Sequence, residues 1–153
     1  MKVSPAILHQ LKSVVVMKLP VHYASNGDLV VMEGITHVPF VIARVFAVVA
    51  SEGAIRGQHA HKGCTQFVTC PNGAVEVLCD DGIEQATYLL DQPGLGLLIP
   101  PSIWAQQIYR SSGSVLMVLC DRPYESSDYI RDYAEFLDYR KIAGGAGCIE
   151  ETP

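Results

Sequence analysis

The amino-acid sequence predicts an all-β fold, a β-sandwich or small barrel, with one helix near the C-terminus. Three observations lead to this prediction: turn signals recur at short intervals, short apolar runs lie between them, and a helical pattern occurs once. Typical turn signals are Asn26-Gly27-Asp28, Pro71-Asn72-Gly73 and Pro93-Gly94. Many short strands separated by turns about 8–12 residues apart are typical of sandwiches and barrels.

The predicted strands are runs rich in Val, Ile, Leu, Phe and Tyr, the residues that favour a pleated, half-buried surface. In chain order they cover residues 29–32, 40–49, 66–70, 74–79, 84–90, 95–99 and 115–120. Asp81-Gly82 separates two of these runs. It is the strongest hairpin signal in the chain, because Asp-Gly readily adopts the backbone of a tight turn.

One segment near the C-terminus has the pattern of an amphipathic helix. Ser126, Ser127 and Asp128 offer N-caps, and apolar side chains follow at helical spacing. These are Tyr129, Ile130, Tyr133, Phe136 and Leu137. We expect this stripe to dock against the sheet. Residues 143–153 are Gly-rich and acidic and are expected to fray.

Length and composition suit a single globular domain over residues 1–153, since no repeat or linker divides the chain. Apolar residues make up 49% of the chain and charged residues 18%, and the mean hydropathy is +0.22, which excludes a disordered protein. Sixteen acidic and eleven basic residues give a net charge of −5. An acidic protein is a poor partner for the phosphate backbone, so we expect no nucleic-acid binding.

The cysteines and the N-terminal residues indicate a cytoplasmic protein. The five cysteines are odd in number and lack the Cys-x-x-Cys spacing of zinc or redox motifs, so we expect reduced, mostly buried thiols. Pro, His, Gln and Lys interrupt the first twenty residues, which therefore lack the apolar core of a signal peptide. No apolar run approaches the roughly 20 residues of a membrane span, and we expect no membrane partner.

His59 and His61 are the candidate catalytic pair. Side chains at i and i+2 of a strand point to the same face, so we expect both imidazoles to lie together in the barrel. Gln66 follows His61, and Gly73 follows Gln66, at the spacing His-x-His-x4-Gln-x6-Gly. This spacing is similar to the first cupin motif, with Gln in place of the metal-binding Glu.

The second cupin motif, Gly-x5-Pro-x-Gly-x2-His, is matched only in part. Gly94 and Pro100 occupy its first two positions, whereas Ser102 and Ala105 replace the glycine and the histidine. Two histidines and an amide are fewer ligands than a catalytic metal site usually has. Three roles stay open for the pair: acid–base chemistry, which suits an imidazole pKa of about 6.5, a weak metal site, and a structural polar pair.

Four strings carry a family resemblance, and they occur in one order. They are Arg44-Val45-Phe46, Arg56-Gly57-Gln58-His59-Ala60-His61-Lys62, Pro101-Ser102-Ile103-Trp104 and Asp128-Tyr129-Ile130-Arg131-Asp132-Tyr133. Over residues 25–138, the expected core, the chain resembles the dTDP-4-keto-6-deoxy-D-glucose 3,4-ketoisomerases and the related WxcM-like domains. The resemblance implies a cupin (RmlC-like) jelly-roll barrel that uses no metal or cofactor. It also implies a homodimer that exchanges N-terminal strands, for which residues 14–17 offer an apolar segment.

The implied reaction moves a ketone from C4 to C3 of a nucleotide-linked sugar, a dTDP-sugar, in deoxyamino-sugar biosynthesis. It removes the C3 proton and delivers a proton to C4 through an enediol, which suits His59 and His61 as acid–base catalysts. Our working assignment gives His61 the carbon-bound proton and His59 the transfer between the oxygens, and the opposite assignment stays open. Arg56 and Arg44 are each expected either to stabilise the enediolate or to bind the diphosphate.

Three further residues are expected to bind substrate. Gln66 is included because it occupies the position of the metal-binding Glu in the cupin motif. Gln107 is included because it shares a strand face with Ala105. Trp104 would stack on the thymine or the sugar, with a core position as the alternative.

Three positions depart from the family. Asn26 stands where an arginine is expected, Ala47 where a tyrosine is expected, and Ala105 where many members have histidine. A non-catalytic nucleotide-sugar-binding cupin and a metal-dependent cupin enzyme therefore remain as alternatives.

Overall fold

The computed structural model describes residues 9–145, with side chains described up to residue 143. In this range the strands, in chain order, are β1 (Val15–Lys18), β2 (Val21–Ala24), β3 (Gly27–Val30), β4 (Arg44–Ala50), β5 (Ile55–His61), β6 (Gln66–Asn72), β7 (Val75–Asp80), β8 (Gln85–Leu90), β9 (Leu95–Ile99), β10 (Trp104–Tyr109), β11 (Ser114–Cys120) and β12 (Tyr129–Ile130). One helix, α1 (Tyr133–Gly145), follows them.

Two five-stranded antiparallel sheets form the body of the molecule. The first has the order β1-β9-β6-β11-β4 and the second β12-β5-β10-β7-β8, while β2 and β3 form a separate ribbon. The non-consecutive neighbours place strands from distant parts of the chain side by side. This arrangement is a cupin-like jelly roll and confirms the predicted all-β class.

The main core lies between the two sheets. Inward positions alternate along each strand, as at Val75, Val77 and Cys79 of β7, which are fully buried. They belong to one apolar cluster with Leu97 of β9 and Leu116 of β11. Full burial of a Val or Leu side chain contributes roughly 1.5–3 kcal/mol, so this cluster is the principal source of stability.

Each sheet is also covered on its outer face. The first sheet presents Phe67 and Leu119 to the β2–β3 ribbon and the loop that carries Val38. The second sheet presents Ala60 and Trp104 to a smaller apolar cluster, whose other buried members are Ile130 and Phe136. Phe136 is fully buried, which confirms that the helical stripe docks against the sheet.

Most predicted strands are present at the expected positions. The runs over residues 66–70, 74–79, 84–90, 95–99 and 115–120 correspond to β6, β7, β8, β9 and β11. The hairpin between β7 and β8 turns at Asp81, whose Oδ1 accepts hydrogen bonds from the Ile83 and Glu84 N–H groups, both at 2.8 Å. Gly82 has φ +91°, where glycine is favoured.

Two predicted strands are displaced. β3 ends at Val30 rather than Met32, and β4 begins at Arg44 rather than Phe40. The intervening residues form a loop, because Val38 and Phe40 pack on the outer face of the first sheet instead of extending its edge.

The predicted helix begins later than expected, which is a correction. Tyr129 and Ile130 pair with His61 and Ala60 as β12, so backbone pairing across the sheet overrides their helical spacing. The Oδ1 of Asp132 accepts a hydrogen bond from the Glu135 N–H at 2.9 Å, the geometry of an N-cap. Ser126–Asp128, predicted as caps, form a short 3-10 turn.

The remaining expectations concern the tail, the thiols and the membrane. α1 continues to Gly145, past the point where fraying was expected, and the rest of the tail, with Cys148, lies outside the described residues. The four described cysteines are free and buried, as predicted: Cys64, Cys70, Cys79 and Cys120. Between residues 9 and 145, no helix has the length and apolar character that crossing a bilayer demands.

Candidate active site

A cavity of about 200 Å³ opens between the two sheets beside β4 and β5. It is lined by Arg44, Phe46, Val48, Arg56, Gly57, His59, Gln66, Gln107, Leu116, Val118, Tyr129 and Arg131. Five of the seven residues predicted for the site therefore meet here. The other two are His61, whose ring packs against the cavity-lining rings of His59 and Tyr129, and Trp104, which lies elsewhere.

A β-bulge in β5 brings Arg56 and His59 to the same face. Strict alternation would separate two residues three positions apart, but the register against β10 shifts here. Gly57 and Gln58 have φ +81° and +58° at the bulge. A Cβ at Gly57 would lie 2.9 Å from the backbone oxygen of Ala105, so glycine is required for space as well as for conformation.

The two histidines meet edge to face, as the sequence predicts for neighbours on one strand face. Their ring centroids are 5.0 Å apart with the planes at 86°. The Tyr129 ring packs on both, 5.0 Å from His59 and 4.4 Å from His61. Burial, together with repulsion from a charged His61, lowers the pKa of His59 to about 4, so this imidazole is neutral at pH 7.

His61 is held by a buried carboxylate. Its Nδ1 lies 2.8 Å from Oδ2 of Asp128, and the two side chains are 8% and 11% exposed. The other carboxylate oxygen accepts a hydrogen bond from the Gly63 N–H at 2.7 Å, which fixes the carboxylate in place. Sequence reasoning interpreted Asp128 as a helix cap, because its pairing with His61 depends on the fold.

The pair has a defined protonation state at neutral pH. Burial lowers the pKa of His61, although the hydrogen bond to Asp128 acts in the opposite direction. Burial alone would raise the pKa of Asp128, but hydrogen bonds from His61 and Gly63 give a net lowering, so the carboxyl is ionised. A neutral His61 therefore donates Nδ1–H to the carboxylate and keeps a lone pair on Nε2. This atom is buried and has no hydrogen-bond partner among the described residues.

Three guanidinium groups make the cavity positive within an acidic protein. Arg44 donates from Nη1 to the Tyr129 hydroxyl at 3.4 Å, and its Cζ lies 4.6 Å from the Phe46 ring centroid. Arg131 stacks over Tyr129 at 4.3 Å, and Arg56 is exposed at the cavity edge. In the described part of the chain, none of the three arginines forms a salt bridge. Their charges are thus available to an anion.

The two glutamines lie on opposite walls. Gln66 is 7% exposed, and its Nε2 donates to Sγ of Cys120 at 3.6 Å. Gln107 pairs with Arg56 across the strands, and its amide oxygen packs against Gly57. Both side chains offer neutral hydrogen-bonding groups to a polar occupant.

Trp104 does not reach the cavity. Its ring packs edge to face on Tyr133 at 5.3 Å and against Phe136 at 5.7 Å, beneath α1. Its neighbour Ala105 faces the interior, and alternation along β10 turns Trp104 to the other side. This packing corresponds to the core position that the sequence left as the alternative.

Two of the three departures from the family lie away from the cavity. Arg44, Phe46 and Val48 point inward from β4, so Ala47 lies on the opposite, exposed face. Asn26 lies in the exposed turn between β2 and β3. Only Ala105 is on the interior face, where it is buried and pairs with His59.

The residues present do not fit the metal site of a metal-binding cupin. The neutral amide of Gln66 stands where the carboxylate ligand would be needed, and Nδ1 of His61 is engaged by Asp128. Ligand atoms of His61, Cys64 and Asp128 do lie within 4.8 Å of one another. However, a hydrogen bond with Cys120 and burial raise the pKa of the Cys64 thiol, which opposes formation of the thiolate that a metal requires.

Two facing antiparallel sheets with a histidine pair and arginines beside the cavity between them define a jelly-roll protein of the cupin class. The comparison with protein families identifies the branch. The family model described as "FdtA: WxcM-like, C-terminal" matches residues 12–141, and the chain belongs to this family.

Three similar proteins carry the name of a sugar 3,4-oxoisomerase or 3,4-ketoisomerase. The chain is 40% identical over 116 residues to the TDP-4-oxo-6-deoxy-alpha-D-glucose-3,4-oxoisomerase of Aneurinibacillus thermoaerophilus, which covers 75% of this chain and 84% of the relative. It is also similar in structure to QdtA, a sugar 3,4-ketoisomerase from Thermoanaerobacterium thermosaccharolyticum solved in complex with TDP. The TM-score is 0.83 at 32% identity, over 88% of this chain and 98% of that one. For the WlaRB TDP-quinovose 3,4-ketoisomerase from Campylobacter jejuni, the TM-score is 0.78 at 31% identity, over 84% and 99%.

Proposed function

We propose that this protein is a nucleotide-sugar 3,4-ketoisomerase that converts dTDP-4-keto-6-deoxyglucose to a 3-keto isomer. The observation that carries the proposal is the His59–His61–Asp128 cluster beside a cavity lined by three arginines. The names of the relatives support it, and one of the similar structures is a QdtA variant in complex with TDP-4-keto-6-deoxyglucose.

The reaction needs a base, an acid and a stabilised intermediate. The C4 carbonyl acidifies the C3 proton, and its removal gives an enediolate in which C3 and C4 share a double bond. Transfer of the O3 proton to O4 and delivery of a proton to C4 then leave the ketone at C3 and a hydroxyl at C4. Neither atoms nor electrons are exchanged with a cofactor, so two imidazoles suffice.

We assign the carbon-bound proton to His61. The carboxylate of Asp128 stabilises the imidazolium that forms and holds the Nε2 lone pair ready, so Asp128 acts as a positioning residue. His59, on the cavity wall, transfers the proton between the two oxygens. Its lowered pKa keeps it neutral, so it can both accept and donate.

The arginines supply the positive charge that the intermediate and the diphosphate require. Arg131 stacks over Tyr129 at the wall nearest the histidines, and its guanidinium group stabilises negative charge on the enediolate oxygens. Arg44, beside Tyr129, and Arg56, on the exposed edge, bind the diphosphate, whose geometry a guanidinium group matches. Gln66 and Gln107 provide hydrogen bonds to the sugar hydroxyls.

We also propose a homodimer that forms on the outer face of β4. This strand is the edge of the first sheet, and Val45 and Val49 on its outer face are 55% and 70% exposed. Val41, just before it, is 70% exposed, so the patch continues beyond the strand. β1, the segment that the family resemblance implies is exchanged, lies beside β9 at the other edge of this sheet. Free, buried thiols support a cytoplasmic location.

Deuterium exchange tests the isomerase proposal. The wild-type protein is incubated with dTDP-4-keto-6-deoxyglucose in D2O, and the sugar protons are followed by NMR. We expect loss of the C3 proton signal and formation of a 3-keto product, unchanged by EDTA. His61→Asn should abolish exchange at C3, whereas His22→Asn, a substitution in the separate ribbon, should not. Binding without exchange or product would contradict the proposal and favour a non-catalytic cupin.

A further inference from the structure

The cavity is smaller than the ligand class that the proposed function requires. Pockets that enclose drug-sized molecules measure about 300–1,000 Å³, whereas this cavity measures about 200 Å³. His59 lines this cavity, which places the reacting sugar inside it. We infer that the nucleoside, on the far side of the diphosphate, lies outside the cavity.

Tyr124 is an exposed aromatic side chain at this rim. It lies in the loop after β11, and 54% of its surface is exposed. Cζ of Arg44 lies 5.0 Å from its ring centroid, and the Tyr129 ring lies 5.5 Å away at 49°. Two residues that line the cavity thus hold the ring in place while much of its surface faces solvent.

We propose that Tyr124 is the stacking platform for the nucleobase of the substrate. The inference rests on the proposed function, because it concerns the nucleoside part of the same ligand. Arg44 lies between the cavity and Tyr124, so a diphosphate bound by this guanidinium directs the attached nucleoside toward the tyrosine ring. Trp104, the aromatic that the sequence predicted for stacking, is buried beneath α1 and is not available.

Stacking on a tyrosine ring has a recognisable chemical signature. It depends on the flat π surface, which Phe retains and Ala lacks. It also contributes to binding of the nucleotide and not to binding of pyrophosphate, which has no base. These two contrasts separate a stacking role from an indirect effect through Arg44.

The test compares the binding of TDP and pyrophosphate by isothermal titration calorimetry. In Tyr124→Ala we expect the Kd for TDP to rise at least about tenfold, with the Kd for pyrophosphate unchanged. Tyr124→Phe should retain wild-type affinity for TDP. Tyr23→Ala is the matched control, since Tyr23 is 78% exposed on the β2–β3 ribbon.

The outcomes that overturn the inference are distinct. Unchanged TDP affinity in Tyr124→Ala would show that the base does not stack there. An equal loss for TDP and pyrophosphate would show that the substitution acts through Arg44. If the protein converts the substrate but TDP binds equally well to Tyr124→Ala, the inference about Tyr124 is wrong and the proposed isomerase activity stands. Tyr124-dependent TDP binding without turnover contradicts only the proposed isomerase activity.

Discussion

The space between the two sheets differs sharply from one side to the other. On the side built by β7, β8 and β9, the inward positions are apolar and closely packed, as at Val77, Leu90 and Leu97, each at most 1% exposed. On the side built by β4, β5 and β12, the inward positions include Arg44 and His59, and the sheets part to leave a cavity. Both sides follow strand alternation, apart from the bulge in β5.

The difference shows that stability and chemistry reside on different strands of one interior. The packed side needs no polar group, and each apolar side chain there contributes to folding. The open side carries buried and charged groups that oppose folding unless a partner stabilises them, as Asp128 does for His61. Substitutions on the two sides should therefore have separable effects, one on activity and the other on unfolding.

The largest effect is expected at the carboxylate of the open side. Asp128→Asn removes the negative charge beside His61, so kcat should fall on the order of 10⁴-fold, with KM little changed. The carboxylate raises the pKa of His61, so its loss should also move the acid limb of the kcat/KM profile to lower pH. Steady-state kinetics from pH 4 to 8 measure both, and ¹⁵N NMR reports the tautomer of His61.

A purely structural role for Asp128 would give a different pattern. The variant would then lose stability and activity together, with an unshifted pH profile and the wild-type tautomer. Glu84→Gln, a substitution of a carboxylate in the exposed β7–β8 turn, serves as the control and should change neither.

On the packed side, Leu90→Ala should reduce the free energy of unfolding without changing the chemistry. Leu90 is 1% exposed in the main core, and such truncations cost about 2–5 kcal/mol through lost burial and the remaining void. Urea unfolding followed by fluorescence measures the loss. The comparison between the two sides would fail if kcat fell more than about twofold in a folded sample.

Arg56→Gln should lower activity with little change in the free energy of unfolding, the reverse of Leu90→Ala. The loss of activity should be smaller than in Asp128→Asn. A hydrogen bond to a charged group contributes about 1.5–3 kcal/mol, so kcat/KM should fall at least about tenfold. A rise in KM indicates diphosphate binding, and a fall in kcat indicates stabilisation of the enediolate. Unfolding should change by less than about 0.5 kcal/mol, because Arg56 is exposed. Arg110→Gln, which breaks a surface ion pair with Glu76, should leave kcat/KM unaltered.

The smallest effect is a pH dependence of stability. The pKa of His59 is lowered from 6.5 to about 4, so between these values the unfolded chain binds a proton that the folded chain excludes. The stability contributed by the neutral imidazole is fully present above pH 6.5 and is lost as the pH falls toward 4. The Tm should drop on the order of 5 °C between pH 7.5 and 5. His59→Asn should reduce this slope, and an unchanged slope in the variant would assign the effect to other groups.

Local patterns predicted the sheets well because turns and strand alternation are local properties. The Asp81-Gly82 hairpin depends on a four-residue turn, and the shared face of His59 and His61 depends only on the period of a strand. The helix start was wrong because Tyr129 and Ile130 satisfy a helical period equally well. Their pairing with β5 involves residues almost seventy positions away, which no local pattern contains.

The site predicted from the sequence lacked three residues for the same reason. Tyr129, Arg131 and Asp128 reach the histidines only through β12 and the turn before it. The family strings contained all three residues, and this was the one signal that pointed to them. Trp104 was misplaced because a single aromatic carries no information about which face of its strand is open.

The bulge at Gly57 also suggests how such a cavity acquires its charge. Removing one residue at this point would restore strict alternation, keep both histidines inside and turn Arg56 outward. The cavity would keep Arg44 and Arg131 but lose the guanidinium group at its exposed edge. A single-residue insertion in a strand can thus add a positive charge to such a cavity without changing the residues around it. Libraries aimed at new substrates should vary the length of β5 at this position as well as its residues.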